Sequence, residues 1–131
     1  MVTINIVKKA RGRATAKFVG TGSAELDLAD LAIHDETFDR ANSKVTLAHM
    51  YFAVGDVANV SRNSNVIVAL PTGSLDQWSF TQETGFVLDE FPTSNVVVDL
   101  GANEGTMIIT LHKTEGYNIP DNQALESWQK A

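Results

Sequence analysis

Hydrophobic and polar residues alternate along much of the chain with a period of two, which is typical of β-strands that bury one face. At the N-terminus, Val2, Ile4 and Ile6 alternate with polar residues. Between residues 13 and 18, basic or hydroxyl side chains alternate with alanines and a phenylalanine. The pattern therefore predicts an opening strand, followed by a strand with one charged face.

Further apolar or alternating segments recur at intervals of about ten residues and are bounded by Gly, Pro, Asn or Asp, which are common turn residues. They lie at residues 24–28, 44–54, 57–62, 66–70, 78–80, 96–100 and 106–112. About eight short strands at this spacing predict an all-β fold, either an antiparallel β-sandwich or a barrel. The irregular stretch 29–43 is expected to be a loop with one helical turn.

Three turns are predicted between these strands. Gly20 and Gly22 predict a hairpin that would place the basic strand beside acidic residues of the next one. The connection 101–105 contains two glycines and an asparagine, which fits a second hairpin. Residues 63–65 predict a tight turn, because asparagine tolerates left-handed backbone conformations.

The last residues differ in character from the rest of the chain. Asp121 or Asn122 can cap a short helix over residues 121–131, and Leu125 and Trp128 would share one face of it. A helix this short is marginal alone, so it must dock on the domain or on a partner. We therefore expect a single β domain over residues 1–120 with a basic N-terminal segment, followed by a helical tail.

Charge is distributed unevenly along the 131 residues. The first 24 residues contain five basic and no acidic residues, whereas the rest contains all 16 acidic residues and five basic ones, for a net charge of −6. The five basic residues of the front segment are Lys8, Lys9, Arg11, Arg13 and Lys17. Such asymmetry suggests a surface that meets another macromolecule. Pairing with acids of a neighbouring strand is the alternative explanation.

Composition narrows the function classes. The chain has no cysteine, which excludes disulfides and thiolate metal sites. The pI near 4.9 argues against general nucleic-acid binding, and no apolar run has the length of a membrane span. No nucleophile elbow, phosphate-binding loop or paired glycosidase carboxylates occur. We therefore expect no enzyme, no catalytic residues, no metal and no cofactor.

Two other functional hypotheses remain open. His34, Asp35, Glu36 and Asp39 form the densest ionisable cluster, which could bind a divalent cation and support a metal-assisted enzyme, although their spacing matches no established ligand pattern. Trp78, with Tyr51, could form an aromatic platform for a sugar. Core packing is the alternative explanation for Trp78 and for Phe80, which shares its parity.

An ordered series of segments between Met50 and Tyr117 resembles a family of known proteins. The series is YFAVG (51–55), VSRN (60–63), VIVAL (66–70), WSF (78–80), NVVV (95–98), GTMIITL (105–111) and KTEGY (113–117). In the order of its strands and turn residues, this half of the chain is similar to small virion structural proteins of tailed bacteriophages. The resemblance implies a β-sandwich that coats or joins parts of a particle.

The most specific expectation from the resemblance is a capsid decoration or cement protein. Its partners would be the major capsid protein or other virion structural proteins, with several copies of the chain together in the particle. It would be assembled in the host cytoplasm and located in the virion. The five basic residues, with Leu125 and Trp128, lie outside the matched region and would contact these partners. The alternatives are a neck, tail-joining or fibre-associated protein and a carbohydrate-binding module.

Overall fold

Eleven antiparallel strands form two sheets and a small ribbon in the computed structural model, which describes residues 1–79 and 93–118. The first sheet, sheet A, has five strands. In order across the sheet they are β1 (Val2–Ala10), β2 (Arg13–Gly20), β10 (Gly105–Glu115), β5 (Lys44–Ala53) and β8 (Leu75–Ser79). Its centre, β10, pairs with both β2 and β5, so the C-terminal part of the described chain holds the N-terminal hairpin to the middle of the chain.

The second sheet, sheet B, has four shorter strands. In order they are β3 (Ser23–Leu26), β9 (Val96–Asp99), β6 (Ala58–Arg62) and β7 (Asn65–Leu70). A ribbon of β4 (Thr37–Phe38) and β11 (Tyr117–Asn118) lies apart from both sheets, and 3₁₀ turns span Leu28–Leu31 and Arg40–Asn42. The expected loop with a helical turn at 29–43 thus contains one complete 3₁₀ turn, part of another and a short strand.

The core lies between the two sheets and takes its side chains from alternate positions of each strand. In sheet A, Phe18 of β2 opposes Met107 of β10, and both are fully buried. In sheet B, Val60 of β6 opposes Val98 of β9, and they belong to the same buried cluster. Full burial of side chains of this kind contributes about 1.5–3 kcal/mol each. The two sheets therefore form an antiparallel sandwich, which confirms the predicted fold class.

The hairpin predicted across Gly20 and Gly22 is wrong. β2 pairs with β1 and β10, whereas β3 pairs with β9 in the other sheet. The backbone N–H of Gly22 donates to the oxygen of Gly101, and its own oxygen accepts from Leu100, both at 2.8 Å. These groups are therefore engaged with another segment, and the chain crosses from sheet A to sheet B here.

The hairpin predicted across residues 101–105 is wrong for the same reason. β9 belongs to sheet B and β10 to sheet A, so this connection also crosses between the sheets. The two crossings lie side by side, and Gly20 pairs with Gly105 in sheet A. Gly20 has φ +131°, and a Cβ atom there would lie 2.1 Å from the backbone oxygen of Met1. Glycine is required at this crossing because any side chain would collide with the N-terminus.

The tight turn predicted at residues 63–65 is confirmed. Asn63 and Ser64 have φ of 51° and 62° and join β6 to β7, with Arg62 opposite Asn65. Positive φ at both central residues is the geometry of a type I′ hairpin. A second hairpin, between β1 and β2, turns at Arg11 and Gly12.

Within the described ranges, sheets A and B keep separate edges and do not close into a barrel. The strands in the described ranges number eleven rather than about eight, and the ribbon strands β4 and β11 are the two that lie outside the segments picked out by the hydrophobic pattern. The predicted tail at 121–131, with Leu125 and Trp128, and the aromatic Phe80 lie outside the described residues. Their roles stay predictions.

Candidate functional site

The outward face of sheet A is built from rows of side chains that cross all five strands. The central row is Asn5, Lys17, Ile108, Tyr51 and Gln77. The neighbouring row is Thr3, Val19, Thr106, Ala53 and Leu75. These residues face outward because the alternate positions of the same strands are in the core. The strand with one charged face predicted at residues 13–18 is therefore confirmed.

One outward carboxylate is described in the registers of this sheet, Glu115, which opposes Lys44 at the end of β10, although the chain has 16 acidic residues. Lys8, Arg13 and Lys17 lie on this face and are exposed. No carboxylate among residues 1–79 and 93–118 lies within ion-pair distance of them. We call this surface, the outward face of sheet A with these three cations, the basic face.

A bulge in β1 decides which lysine reaches the basic face. Ile6 opposes Ala16 and Lys8 opposes Thr15, so Val7 is an extra residue in β1. A regular strand would have turned Lys8 toward the core side, because Val2, Ile4 and Ile6 already occupy that side. The bulge reverses this alternation. It places Lys8 on the outward face and turns Lys9, which opposes Ala14, to the other side.

The structure therefore divides the five predicted basic residues into three groups. Lys8, Arg13 and Lys17 share the basic face, and Lys9 projects from the opposite side of the edge strand. Arg11, in the hairpin turn, donates a hydrogen bond to the carboxylate of Asp35 within the same chain. Three of the five are thus brought together with their charges available to a partner.

The part of the basic face over β10, β5 and β8 holds a largely apolar depression, which Asp76 also lines. Tyr51, Leu75 and Ile108 line this shallow depression of about 290 Å³. The side chains of Tyr51 and Leu75 are 50% and 78% exposed. The ring of His49 contacts that of Tyr51 edge-on at 4.7 Å between centroids, and its Nε2 lies 3.1 Å from Oε1 of Gln77. These contacts hold the tyrosine ring in place, so the depression is a preformed surface.

Sheet B presents an outward face of the opposite charge. Glu25 opposes Val97, and Asp99 opposes both Ser23 and Asn59, so the two carboxylates lie on the side away from the core. No outward position in the registers of this sheet is Lys or Arg. Val66, which opposes Ser61, is 57% exposed on the same side. We call this surface, the outward face of sheet B with Glu25 and Asp99, the acidic face.

A buried ion pair lies at one end of the sandwich. The side chains of Lys113 and Glu36 are 0% and 3% exposed, with Nζ 2.8 Å from Oε1. Lys113 Nζ also donates to the backbone oxygens of Ala10 and Leu31, at 2.7 and 2.8 Å. All three ammonium protons are therefore used inside the protein. The pair joins the β1–β2 hairpin to the 28–39 segment.

Two further polar side chains lie near this pair, the buried Arg62 and the partly buried Tyr117. Arg62 is 1% exposed and donates through Nε and Nη2 to the backbone oxygen of Ser94, at 3.1 and 2.7 Å. Desolvation lowers the pKa of Arg62 to about 10. The hydroxyl of Tyr117 donates to the backbone oxygen of Leu28 at 2.6 Å. Burial, and next the charge of Glu36, raise the pKa of Tyr117 above its usual value.

Sequence reasoning missed this buried polar cluster. The inward positions of β10 are Met107, Ile109 and Leu111, and the next inward position is Lys113. That parity was the available indication that Lys113 is buried. Its partner Glu36 is 77 residues away in sequence, and nothing local connects them.

The acidic cluster considered for metal binding is directed to other partners. Asp35 accepts from Arg11, Glu36 from Lys113, and Asp39 from the side chain of Asn42 at 2.7 Å. Within residues 1–79 and 93–118, no three His, Asp or Glu side chains are grouped so that they could hold a metal ion. The carboxylates proposed as ligands therefore serve as ion-pair and hydrogen-bond acceptors.

The two aromatic residues considered as a sugar platform lie on opposite sides of sheet A. Tyr51 opposes Gln77 on the outward face, whereas Trp78 opposes the buried Met50. The indole ring of Trp78 packs edge-on against Phe52, at 5.3 Å between centroids, and is 40% exposed. A single platform cannot contain both rings, so the sugar hypothesis loses the arrangement on which it depended.

None of the described helical turns has the length and apolar character needed to cross a membrane. The sequence matches no protein-family model, and a comparison with curated proteins finds no match.

Proposed function

We propose that this protein is a non-enzymatic assembly module that docks on an acidic surface of a partner protein through its basic face. The observation that carries the proposal is the face itself. Three exposed cations without ion-pair partners among the described residues lie on β1 and β2, beside a largely apolar depression on β10, β5 and β8. The rows that contain Lys8, Arg13 and Lys17 have no described outward carboxylate.

The two parts of the face would have different roles in binding. Apolar area around Tyr51 and Ile108 supplies affinity at about 25 cal/mol per Å² buried, reduced by the lost freedom of the partners. Lys8, Arg13 and Lys17 supply attraction to acidic surfaces, which raises the association rate and selects the partner. Because the face belongs to a five-stranded sheet over a packed core, little ordering is required on binding.

The most specific form of the proposal is a capsid decoration or cement protein of a tailed bacteriophage. Its support is the resemblance of residues 50–117 to small virion structural proteins, together with the sandwich fold and its basic face. The partner would be the major capsid protein, and many identical contacts would stabilise the shell by mass action. A neck or tail-joining protein would use the same face in few copies.

Copy number separates these two assignments. Quantitative mass spectrometry of purified virions would compare this chain with the major capsid protein. A ratio near one, or a fixed large fraction of one, supports shell decoration. A handful of copies per particle moves the protein to the neck or tail, and absence from purified virions contradicts the virion assignment.

The docking face has its own test in two neighbouring lysines. Lys8→Gln removes a charge from the basic face, whereas Lys9→Gln removes the same charge from the other side of the same strand. We expect Lys8→Gln, alone and with Arg13→Gln and Lys17→Gln, to weaken cosedimentation with particles that lack the protein and to flatten its salt dependence. Lys9→Gln should bind as the wild type does. Equal losses for Lys8→Gln and Lys9→Gln would contradict docking through this face.

A further inference from the structure

The two outward faces of the sandwich have opposite charge and lie on opposite sides of one molecule. The basic face carries Lys8, Arg13 and Lys17, and the acidic face carries Glu25 and Asp99. The acidic face has no described outward Lys or Arg, and the basic face has one described outward carboxylate, Glu115, which opposes Lys44 at the end of the sheet. One copy of the chain therefore holds both halves of a complementary contact.

The apolar parts of the faces also correspond. On the basic face, Val19 and Ile108 flank Lys17 on neighbouring positions, and Tyr51 follows in the central row. On the acidic face, Val97 lies directly opposite Glu25, and Val66 is exposed at the edge of the same row. Each face thus combines charge with exposed apolar area, so that a contact between them would pair opposite charges and bury apolar atoms together.

We infer that the basic face of one copy docks on the acidic face of a second copy, so that the protein assembles head to tail. This inference rests on the proposed function, because it names one acidic surface that the basic face recognises. The two faces of each molecule are different surfaces, so each contact leaves one basic and one acidic face free at the ends. Such heterologous contacts propagate into rings or filaments rather than stop at a two-fold dimer.

The size of the acidic face sets the expected strength. Sheet B has four strands of four to six residues. At about 4.8 Å between strands and 3.4 Å per residue, sheet B measures roughly 19 by 17 Å. The area of this rectangle is less than half of the roughly 800 Å² that each partner buries in a standard interface. We therefore expect association that is reversible, that grows with protein concentration and that weakens with salt.

Size-exclusion chromatography with light-scattering detection measures the molar mass of the full chain in solution. The measurement is made at rising protein concentration and at low and high salt. Lys17→Glu reverses a charge on the basic face, and Lys9→Glu makes the same change in net charge on the other side of β1. Ser23→Lys with Glu25→Lys reverses the acidic face at two exposed positions while keeping Asp99, whose carboxylate accepts from Gly101 N–H. Circular dichroism checks that each variant is folded.

The inference expects association in the wild type and in Lys9→Glu, and at least about tenfold weaker association in Lys17→Glu and in the double variant. It further expects that an equimolar mixture of those two variants associates again, because the basic face of one meets the acidic face of the other. The mixed complexes would contain both variants in equal amounts.

Two results would overturn the inference. If the variant with the reversed acidic face associates as strongly as the wild type, the acidic face takes no part in the contact and the assembly is not head to tail in the way inferred. If the wild type stays monomeric at every concentration but still sediments with virus particles, self-association is wrong while the proposed docking function stands. Failure of the proposed function has a different signature, since Lys8→Gln would then leave particle binding unchanged.

Discussion

The molecule uses its cations in two opposite ways, at the end of the sandwich and on the basic face. Lys113 is buried, and its three ammonium protons are donated to Glu36, Ala10 and Leu31. Lys17 is exposed in the middle of sheet A and has no carboxylate within ion-pair distance among the described residues. A lysine in the sequence therefore does not reveal by itself whether its charge is buried in an ion pair or exposed on the surface. Burial and partners show that the first lysine stabilises the fold and the second is available for binding.

The largest effect should follow from breaking the buried ion pair. Lys113→Met leaves Glu36 charged and buried, and it leaves two backbone oxygens without their donor. We expect a loss of about 3–5 kcal/mol in the free energy of unfolding, measured by urea denaturation. The matched change Lys17→Met on the basic face should alter stability by no more than about 0.5 kcal/mol. Similar losses for the two variants would contradict the comparison.

A second variant tests whether the instability of Lys113→Met comes from the buried charge that is left unpaired on Glu36. Lys113→Met combined with Glu36→Leu removes both charges and fills the same space with apolar atoms. Because no charge is then left unpaired, we expect the double variant to recover a large part of the stability lost in Lys113→Met. A double variant as unstable as the single one would show that the lost hydrogen bonds dominate, which are those from Lys113 to the oxygens of Ala10 and Leu31 and from the N–H of Ile33 to Glu36.

Arg62 should show a smaller effect of the same kind. Its planar guanidinium donates to the backbone oxygen of Ser94 through two nitrogens and also to that of Val45. Lysine keeps the charge but cannot reproduce this geometry, so Arg62→Lys should lower the free energy of unfolding by about 1–3 kcal/mol. Thermal unfolding followed by circular dichroism would measure it, and an unchanged midpoint would show that geometry at this site is unimportant.

The basic face should show almost no effect on stability. Lys8→Gln, Arg13→Gln and Lys17→Gln remove exposed charges that make no ion pair within the described part of the chain. Each should change the free energy of unfolding by less than about 0.5 kcal/mol in either direction, while their combination weakens docking. A marked loss of stability in the combined variant would mean that these residues have a structural role.

An exposed ion pair outside the basic face gives the smallest and most pH-specific effect. A hydrogen bond from the backbone N–H of Ala29, and next the contact with Arg40, lower the pKa of Asp27 below 3.8. The folded state therefore binds the proton less tightly than the unfolded state. The stabilisation is complete above pH 3.8 and is lost as the pH falls through the lowered pKa.

The Asp27 pair is solvent-exposed, so its contribution should be a few tenths of a kcal/mol, as is usual for such pairs. Asp27→Asn should reduce the difference between the free energies of unfolding at pH 7 and pH 3, measured by urea denaturation, by this small amount. An unchanged difference would show that Asp27 carries none of the acid sensitivity.

Much of the fold followed from local patterns. The alternation in residues 13–18 predicted a strand with one charged face, and Asn63 predicted the tight turn before β7. The pairing of strands did not follow. Gly20 and Gly101 were expected to close hairpins, but the chain crosses between sheets at both places. A glycine shows that the backbone can turn, whereas its partner across the turn depends on contacts far away in sequence.

The residues of the basic face followed only in part from the sequence. Sequence reasoning selected five basic residues but could not divide them, because the division depends on the bulge at Val7 and on the contact of Arg11 with Asp35. It also could not place Tyr51 and Ile108 beside Lys17, since those residues meet only through the registers of β2, β10 and β5. That Trp78 lies on the core side of sheet A follows only from the register between β5 and β8.

The sequence by itself determined that the chain forms strands, and which side chains share a face within each regular strand. The period of two follows from backbone geometry and needs no distant partner. The tertiary structure alone decided which strands are neighbours, that Lys8 reaches the basic face and that Lys113 meets Glu36 inside the protein. Those outcomes depend on registers between segments that are distant in sequence. They also depend on burial, because the free-energy cost of a buried charge is set by the ion-pair and hydrogen-bond partners around it.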